Sequence, residues 1–416
     1  MTGQDFDDVL LDDTERLLNA DVAGAIRAVA SGGSQLRESR QLAAEAGVGD
    51  LSAGMPPRAV LVRAAEPSGA LARVLCALAG PAAPAPIIVV RDGSLPRWAG
   101  PADLLLVASH ASSDESTLSL VESAARRGVP MLGVGAHDSP LAELVVGRAR
   151  CPYVGLPLRE PPRASLWALL GPLLVGAARS GLIAVTDAEL DATADMLDVV
   201  AERCRPGSET FVNPGKALAT EMAESLPVIW GSAALAGVAA RRLAGQLAGV
   251  ARRQASWGTL PEAAVEFGGL LGDPPPAGAE TADRAVASWE PGPWQPGGPG
   301  AWDPTSGEPG GTDPGTRRRA VLPDDFFADR AEEQPRHQTR LVLLRDEQGE
   351  DPVSRRSADL ARQQAFDRGL RVSELPAEGH GPLERFASLC ALGDFAAVYC
   401  GLGFGIDPTA RRFGDW

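Results

Sequence analysis

Short apolar runs alternate along this chain with longer stretches whose apolar positions recur every three or four residues. Leu104 to Val107 is a short run suited to a strand buried on both faces. It breaks at Ser109 into a Ser-rich turn. From about Ser113 onward, Leu118, Val121 and Ala125 fall on one helical face, and Arg126, Arg127 and Gly128 close the helix. Val129 to Val134 reads as a second buried strand. Such a βαβ unit builds a parallel sheet and takes its ligand beyond the strand ends. The free N–H groups and partial positive charge of the helix start suit an anion, but Asp114 puts a fixed negative charge there.

The same alternation runs through the rest of the chain. Asp12, Asp13 and Thr14 cap a helix carrying Leu17, Leu18, Ala23 and Ile26, and a second helix covers Ser34 to Glu45. Ala59–Val62 and Ile87–Val90 are strands, with a helix from Ser68-Gly69 to Ala79 between them. Arg163 to Ala178 is a long apolar helix. Past Thr186, Asp187–Arg203, Asn213–Ala223 (Asn213 as N-cap, Pro214 in the first turn) and Ala233–Arg253 read as helices. Leu226–Trp230, Thr339–Leu344 and Val372–Leu375 read as strands, Ser354–Arg368 and Leu383–Leu402 as further helices. The expected fold is α/β: two doubly wound parallel sheets in tandem, residues 1–183 and 184–416. The second is interrupted by an insertion at 272–336, whose Pro/Gly-saturated part, Gly272–Arg319, cannot offset its chain entropy by burial and is expected to be disordered. Trp289, Trp294 and Trp302 stand in it as weakly docking aromatics or as a short partner-binding motif, and Arg317 to Arg319 reads as a solvated charge run.

Composition narrows the function. The 416 residues are 44% apolar, enough for real cores, and a net charge of −15 excludes nucleic acid as a main partner. The acidic N-terminus shows no secretory pattern. The helix Ala164–Ala178 is short for a membrane span and holds Pro172, so it reads as a core or subunit-interface helix. Five dispersed cysteines suit free thiols in a reducing cytoplasm. No Cys/His set has zinc spacing, and neither a P-loop nor a hydrolase elbow occurs, so neither metal nor cofactor is expected.

Several ordered motifs point further: Asn213-Pro214-Gly215-Lys216-Ala217-Leu218-Ala219 running to Leu226-Pro227-Val228-Ile229-Trp230-Gly231, Leu260-Pro261-Glu262-Ala263, Leu392-Gly393-Asp394-Phe395 and Gly405-Ile406-Asp407-Pro408-Thr409. In the first half, Ser139-Pro140-Leu141-Ala142-Glu143-Leu144 and Pro162-Arg163-Ala164-Ser165-Leu166 fit the same set. Together they resemble the bifunctional phosphoglucose/phosphomannose isomerase family, built from two sugar-isomerase (SIS) domains of flavodoxin-like type. The resemblance implies a homodimer with a sugar-phosphate-like ligand. The family's phosphate loop, SxSGxTxETL, matches Ser109 to Leu118: Ser109, Thr117 and Leu118 remain, Ser112 stands for Gly, Asp114 for Thr, and Ser116 for Glu. A carboxylate about 4 Å from a phosphate oxygen costs on the order of 1–4 kcal/mol per charge pair. Its second loop, GxGGSG, matches Ala64 to Gly69, with Ser68 and Gly69 retained and Glu66 added.

Proton transfer between C1 and C2 of a sugar needs a carboxylate base, and ring opening an acid/base such as His. At the family's Glu and His positions this chain has Gly249 and Val265. Arg163, which in the family helps stabilise the enediolate, remains, and Thr409 remains, with Arg411 and Arg412 near the expected Lys. The ligand-binding residues so implied are Ser68, Ser109, Ser112, Ser113, Thr117, Arg163 and Thr409; the catalytic candidates are Arg163, with Glu262 or Glu266 as substitute base. His110 sits in the turn as a solvated side chain or a donor to ligand; His137-Asp138 and His380-Gly381 read as turns. The expectation is a degenerate SIS-domain protein that binds a carbohydrate derivative with weak or lost isomerase activity. The alternatives are an active isomerase on an altered substrate and an inactive partner of an active isomerase.

Overall fold

Among the described residues, five parallel strands form one sheet: β1 (Val60–Ala65), β2 (Ile87–Val89), β3 (Leu104–Ser109), β4 (Met131–Ala136) and β5 (Tyr153–Leu156), in the order β2-β1-β3-β4-β5. Four more form a second sheet: β6 (Ser225–Gly231), β7 (Ser256–Thr259), β8 (Gln338–Arg345) and β9 (Arg371–Pro376), in the order β7-β6-β8-β9. The architecture comes from a computed structural model that describes residues 5–51, 56–65, 69–266, 268–271 and 338–409. The expected insertion at 272–336, with its Trp residues, and Glu66, Ser68, Arg411 and Arg412 lie outside the described residues.

Both sheets step one way from their first strand and then reverse, which opens a crevice between β1 and β3 and another between β6 and β8. The period-2 alternation of a strand explains how both faces are buried. Leu104, Leu106 and Ala108 join a central core, while Leu105 and Val107 join an outer one. In the second sheet, Ile229, Val342 and Leu344 face the central core, and Val228, Trp230, Leu341 and Leu343 the outer one. The central core is continuous between the sheets, and both belong to one compact unit, residues 1–271 with 337–416.

The helices are α1 (Asp8–Asp12), α2 (Thr14–Ala20), α3 (Ala25–Ala30), α4 (Gly32–Glu45), α5 (Ala70–Ala79), α6 (Glu115–Arg126), α7 (Pro140–Ala142), α8 (Leu166–Arg179), α9 (Asp187–Arg203), α10 (Pro214–Ala223), α11 (Ala234–Val250), α12 (Glu262–Glu266), α13 (Pro352–Asp367) and α14 (Pro382–Gly403). α14 packs on α9, α10 and α11, and α4 packs on α8 and α9. Among the described residues α14 is the one helix long and apolar enough to cross a membrane, yet 94% of its apolar window is buried within the protein.

Two readings need correction. The helix expected from Thr14 through Ile26 is interrupted: Asp21 accepts hydrogen bonds from the amides of Ala25 (2.7 Å) and Ile26 (2.9 Å), and Gly24 is left-handed at φ 71°, so a new helix starts there. The apolar helix starts at Leu166, because Pro162–Ala164 forms a separate 3-10 turn. The short strands β5 and β7, four residues each, had no counterpart in the apolar pattern.

Candidate functional site

The Ser-rich turn after β3 folds onto its own carboxylate. Asp114 is the N-cap of α6 and accepts from the Thr117 amide (2.9 Å) and the hydroxyls of Ser116 (3.0 Å) and Ser109 (3.1 Å). Arg63, on β1, reaches across the crevice. Its Nη2 lies 3.3 Å from Asp114 and 2.6 Å from Ser116 Oγ, and its Nε donates to Thr117 Oγ1 at 2.8 Å. Burial pushes the Asp114 carboxyl upward, but the hydrogen bonds from Thr117, Ser116 and Ser109 outweigh it, and it titrates below the ordinary range. An anionic side chain thus already fills a place of free helix N–H groups, hydroxyls and a guanidinium.

Ser112 completes the turn in the left-handed region at φ 54°, a conformation that favours Gly. Its amide donates to Ser109 Oγ (2.9 Å), and its hydroxyl donates to the Ser109 carbonyl (2.7 Å) and accepts from the Ala136 amide (2.9 Å). This ties β3 to β4 at close range: a Cβ on Gly135 would fall 2.2 Å from Ser112 Oγ. Ser109, Ser112 and Thr117 are buried in these contacts, and Ser113 is exposed.

A second cluster forms where the loop before α8 meets α11 and the residues after α14. Arg163 donates through Nη1 to the Gly245 carbonyl at 3.2 Å. Its own carbonyl accepts from Arg242 Nη2 (2.8 Å) and Gln246 Nε2 (3.2 Å). Arg242 in turn grips Asp394 with Nε (2.9 Å) and Nη2 (2.7 Å), and Gln246 Nε2 adds a bond to Asp394 at 3.0 Å. Arg163, Gln246, Gly249 and Thr409 line one cleft of about 40 Å³. The guanidinium of Arg163 lies against Gly249, where a Cβ would fall 2.2 Å from Cζ. Thr409 Oγ1 donates to Asp407 at 2.8 Å.

Residues 211–413 match the family model described as the bacterial phospho-glucose isomerase C-terminal SIS domain. The second half is thus similar to a SIS domain of the bacterial phosphoglucose isomerase type. The chain is also 29% identical over 164 residues to the bifunctional phosphoglucose/phosphomannose isomerase of Caldicellulosiruptor bescii, a match spanning 39% of this chain and 47% of that relative, about half its length. Among solved structures, it resembles the tagatose-6-phosphate ketose/aldose isomerase of Escherichia coli (12% identity, TM-score 0.55, covering 94% of each chain). It likewise resembles a glucose-6-phosphate isomerase of Chlamydia trachomatis D/UW-3/Cx (12% identity, TM-score 0.56, covering 90% of this chain and 70% of that one). At such identity these neighbours establish the fold alone, an α/β architecture with parallel sheets.

Within this fold the sequence-predicted residues separate into groups. Ser109, Ser112 and Thr117 meet at the first turn; Arg163 and Thr409 meet in the cleft with Gly249. Glu262 and Glu266 are exposed on the short α12 and line an open groove with Trp257 and Thr259 that shares no residue with the Arg163 cleft. Val265, expected from the motif resemblance at the family's His position, is 87% exposed. His110 meets the Glu160 carbonyl at 3.1 Å. His137 and Asp138 contact each other in an exposed turn. Among the described residues no His/Cys/Asp/Glu group could hold a metal.

Arg63 and Arg242 were not legible as site residues. Arg63 did leave a signal, since a charge inside the apolar run Val60-Leu61-Val62 needs a buried partner. The second sheet holds a comparable buried ion pair beside a helix cap. Asp351 caps α13, and behind it the buried Arg345 pairs with the fully buried carboxylate of Glu350 at 2.6 Å.

Proposed function

We propose that this chain is a degenerate SIS-domain protein that binds a carbohydrate derivative without interconverting aldose and ketose phosphates. One observation carries the reading: the family's base position is Gly249, and the space a side chain would need there is taken by Arg163. A neutral Gly accepts no proton, and a guanidinium, always charged in proteins, is no base. Glu262 and Glu266 open onto a different groove from Arg163, which argues against either as a substitute.

The turn after β3 supports the reading from the ligand side. Its donors are engaged by Asp114, so a phosphate dianion entering there would meet a carboxylate rather than free N–H and O–H groups. The same reading includes the family's homodimer. It also includes a cytoplasmic setting, which suits the five cysteines, all free thiols in the structure.

The test is a coupled assay of fructose 6-phosphate conversion to glucose 6-phosphate and mannose 6-phosphate by the full chain. No turnover is expected. Turnover that disappears in Arg163→Ala, Glu262→Gln or Glu266→Gln would overturn the reading. Light scattering after size exclusion tests the dimer.

A further inference from the structure

We propose that Lys216 is a gated acylation site, with the loop 205–212 as its gate and the N-terminal helices α1 and α2 as the latch. The proposal is independent of the carbohydrate reading.

Lys216 is the single lysine in the 416 residues, so chemistry aimed at a lysine ε-amine has one target. The residue is 1% exposed, and its ammonium donates to the carbonyls of Pro206 and Ser208 at 2.7 Å each. Both carbonyls belong to the loop that covers it. None of the residues 205–212 is buried, and Phe211 and Val212 are 81% and 59% exposed. The loop therefore closes on hydrogen bonds rather than on apolar contact. Segments so poor in buried apolar surface open locally, at a free energy below that of global unfolding.

The latch comes from the other end of the chain. Asp12 accepts from the amide and the hydroxyl of Thr210 at 2.7 Å each, and Thr14 Oγ1 donates to the Pro206 carbonyl at 3.5 Å. Leu11 on α1 and Leu17 on α2 are fully buried in the central core and anchor the latch.

With the loop open, a small activated acyl donor such as an acyl phosphate reaches the amine. The lone pair of the neutral nitrogen attacks the acyl carbon and an amide bond forms. The bond from that carbon to the phosphate oxygen breaks, phosphate leaves with the electron pair, and the amine proton passes to solvent. The product is uncharged and keeps one N–H. It cannot serve two carbonyls, and the acyl group needs room beneath the loop, so acylation holds the gate open.

The test follows acetylation of the full chain by acetyl phosphate, read by peptide mass mapping against a lysine-containing reference peptide in the same solution. Wild type should react far more slowly than the peptide. Asp12→Ala, which removes both bonds to Thr210, should raise the rate by roughly tenfold or more. Thr210→Val loses one bond, keeps the Asp12 charge near the amine, and should raise the rate less. Val121→Ala, which leaves a small cavity in the separate outer core of the first sheet, should react at the wild-type rate. Acetylated wild type should lose hydrogen-exchange protection at the Thr210 and Asn213 amides. Equal acceleration by Val121→Ala would mean that labelling runs through global unfolding and would overturn the proposal. So would wild type reacting as fast as the peptide, latch variants reacting no faster than wild type, or exchange unchanged by acetylation.

Discussion

The guanidinium of Arg163 stands in the space that a side chain on Gly249 would occupy, with Cζ 2.2 Å from the ideal Cβ position. A side chain at 249 would have to displace that guanidinium, the far end of a flexible side chain. Restoring the family's base by Gly249→Glu should therefore not restore isomerisation. Its cost should lie at or below the lower end of the roughly 1–3 kcal/mol usual for overpacking, because the guanidinium can swing aside. Paired with Arg163→Ala it should cost less than the sum of the two single changes, because the guanidinium no longer competes for the site. Urea unfolding of the four proteins in the cycle measures this coupling. Additive costs would show that the residues do not share the space.

Asp114 makes stability depend on acid. Its folded pKa lies below the unfolded value of about 3.9. The stabilisation is therefore present above the unfolded pKa and is lost as pH falls through the depressed folded value. Melting temperature followed from pH 6 downward should fall less steeply for Asp114→Asn than for wild type. At pH 7, Asp114→Ala should cost about 1–2 kcal/mol through the lost cap. A slope identical in the two proteins would remove Asp114 from the acid response.

The Arg242–Asp394 pair is almost fully buried, with side-chain exposures of 3% and 6%. Asp394→Ala leaves the guanidinium without its carboxylate and should cost about 3–5 kcal/mol. The double change Arg242→Met with Asp394→Leu should recover much of this, since two apolar groups leave no uncompensated charge. It should also loosen the Arg163 loop, whose carbonyl loses its Arg242 donor. Denaturant midpoints of the single and double variants decide the matter.

Lys216 is the chain's one lysine. It is buried, donates to the carbonyls of Pro206 and Ser208 at 2.7 Å each, and lies 5.7 Å from the centre of the Tyr399 ring. Burial lowers its pKa, the attraction of Asp12 opposing. An amine-reactive reagent should leave the ε-amine unmodified in the folded protein and modify it in strong denaturant, as peptide mass mapping would read. Lys216→Met should destabilise by about 1.5–3 kcal/mol, the range for hydrogen bonds made by a charged group. Rapid native labelling would mean that the loop opens readily.

Where an element carries many apolar turns or a strong cap, the sequence was nearly sufficient. Asp187–Arg203 forms a helix over its whole expected length, and Asn213 caps α10 through the amides of Gly215 and Lys216. β3, α6 and β4 follow from apolar spacing alone. β5 and β7 were illegible because four residues at a sheet edge set up no period. Of the candidate site, Arg163 and Gly249 could be singled out by aligning motifs. The charge of Asp114 could be read too, though not that Arg63 lies within reach of it, because β1 and β3 become neighbours only when the sheet forms.

The chain by itself determined the alternation of strands and helices and the composition of the buried faces. These depend on local periodicity and residue chemistry, which every short window carries. Only the tertiary structure decided which side chains share a space: Arg163 against Gly249, Arg63 against Asp114, and Arg242 with Gln246 on Asp394. Such pairings join residues dozens of positions apart, and their geometry is fixed by sheet register and helix packing rather than by the sequence around either partner.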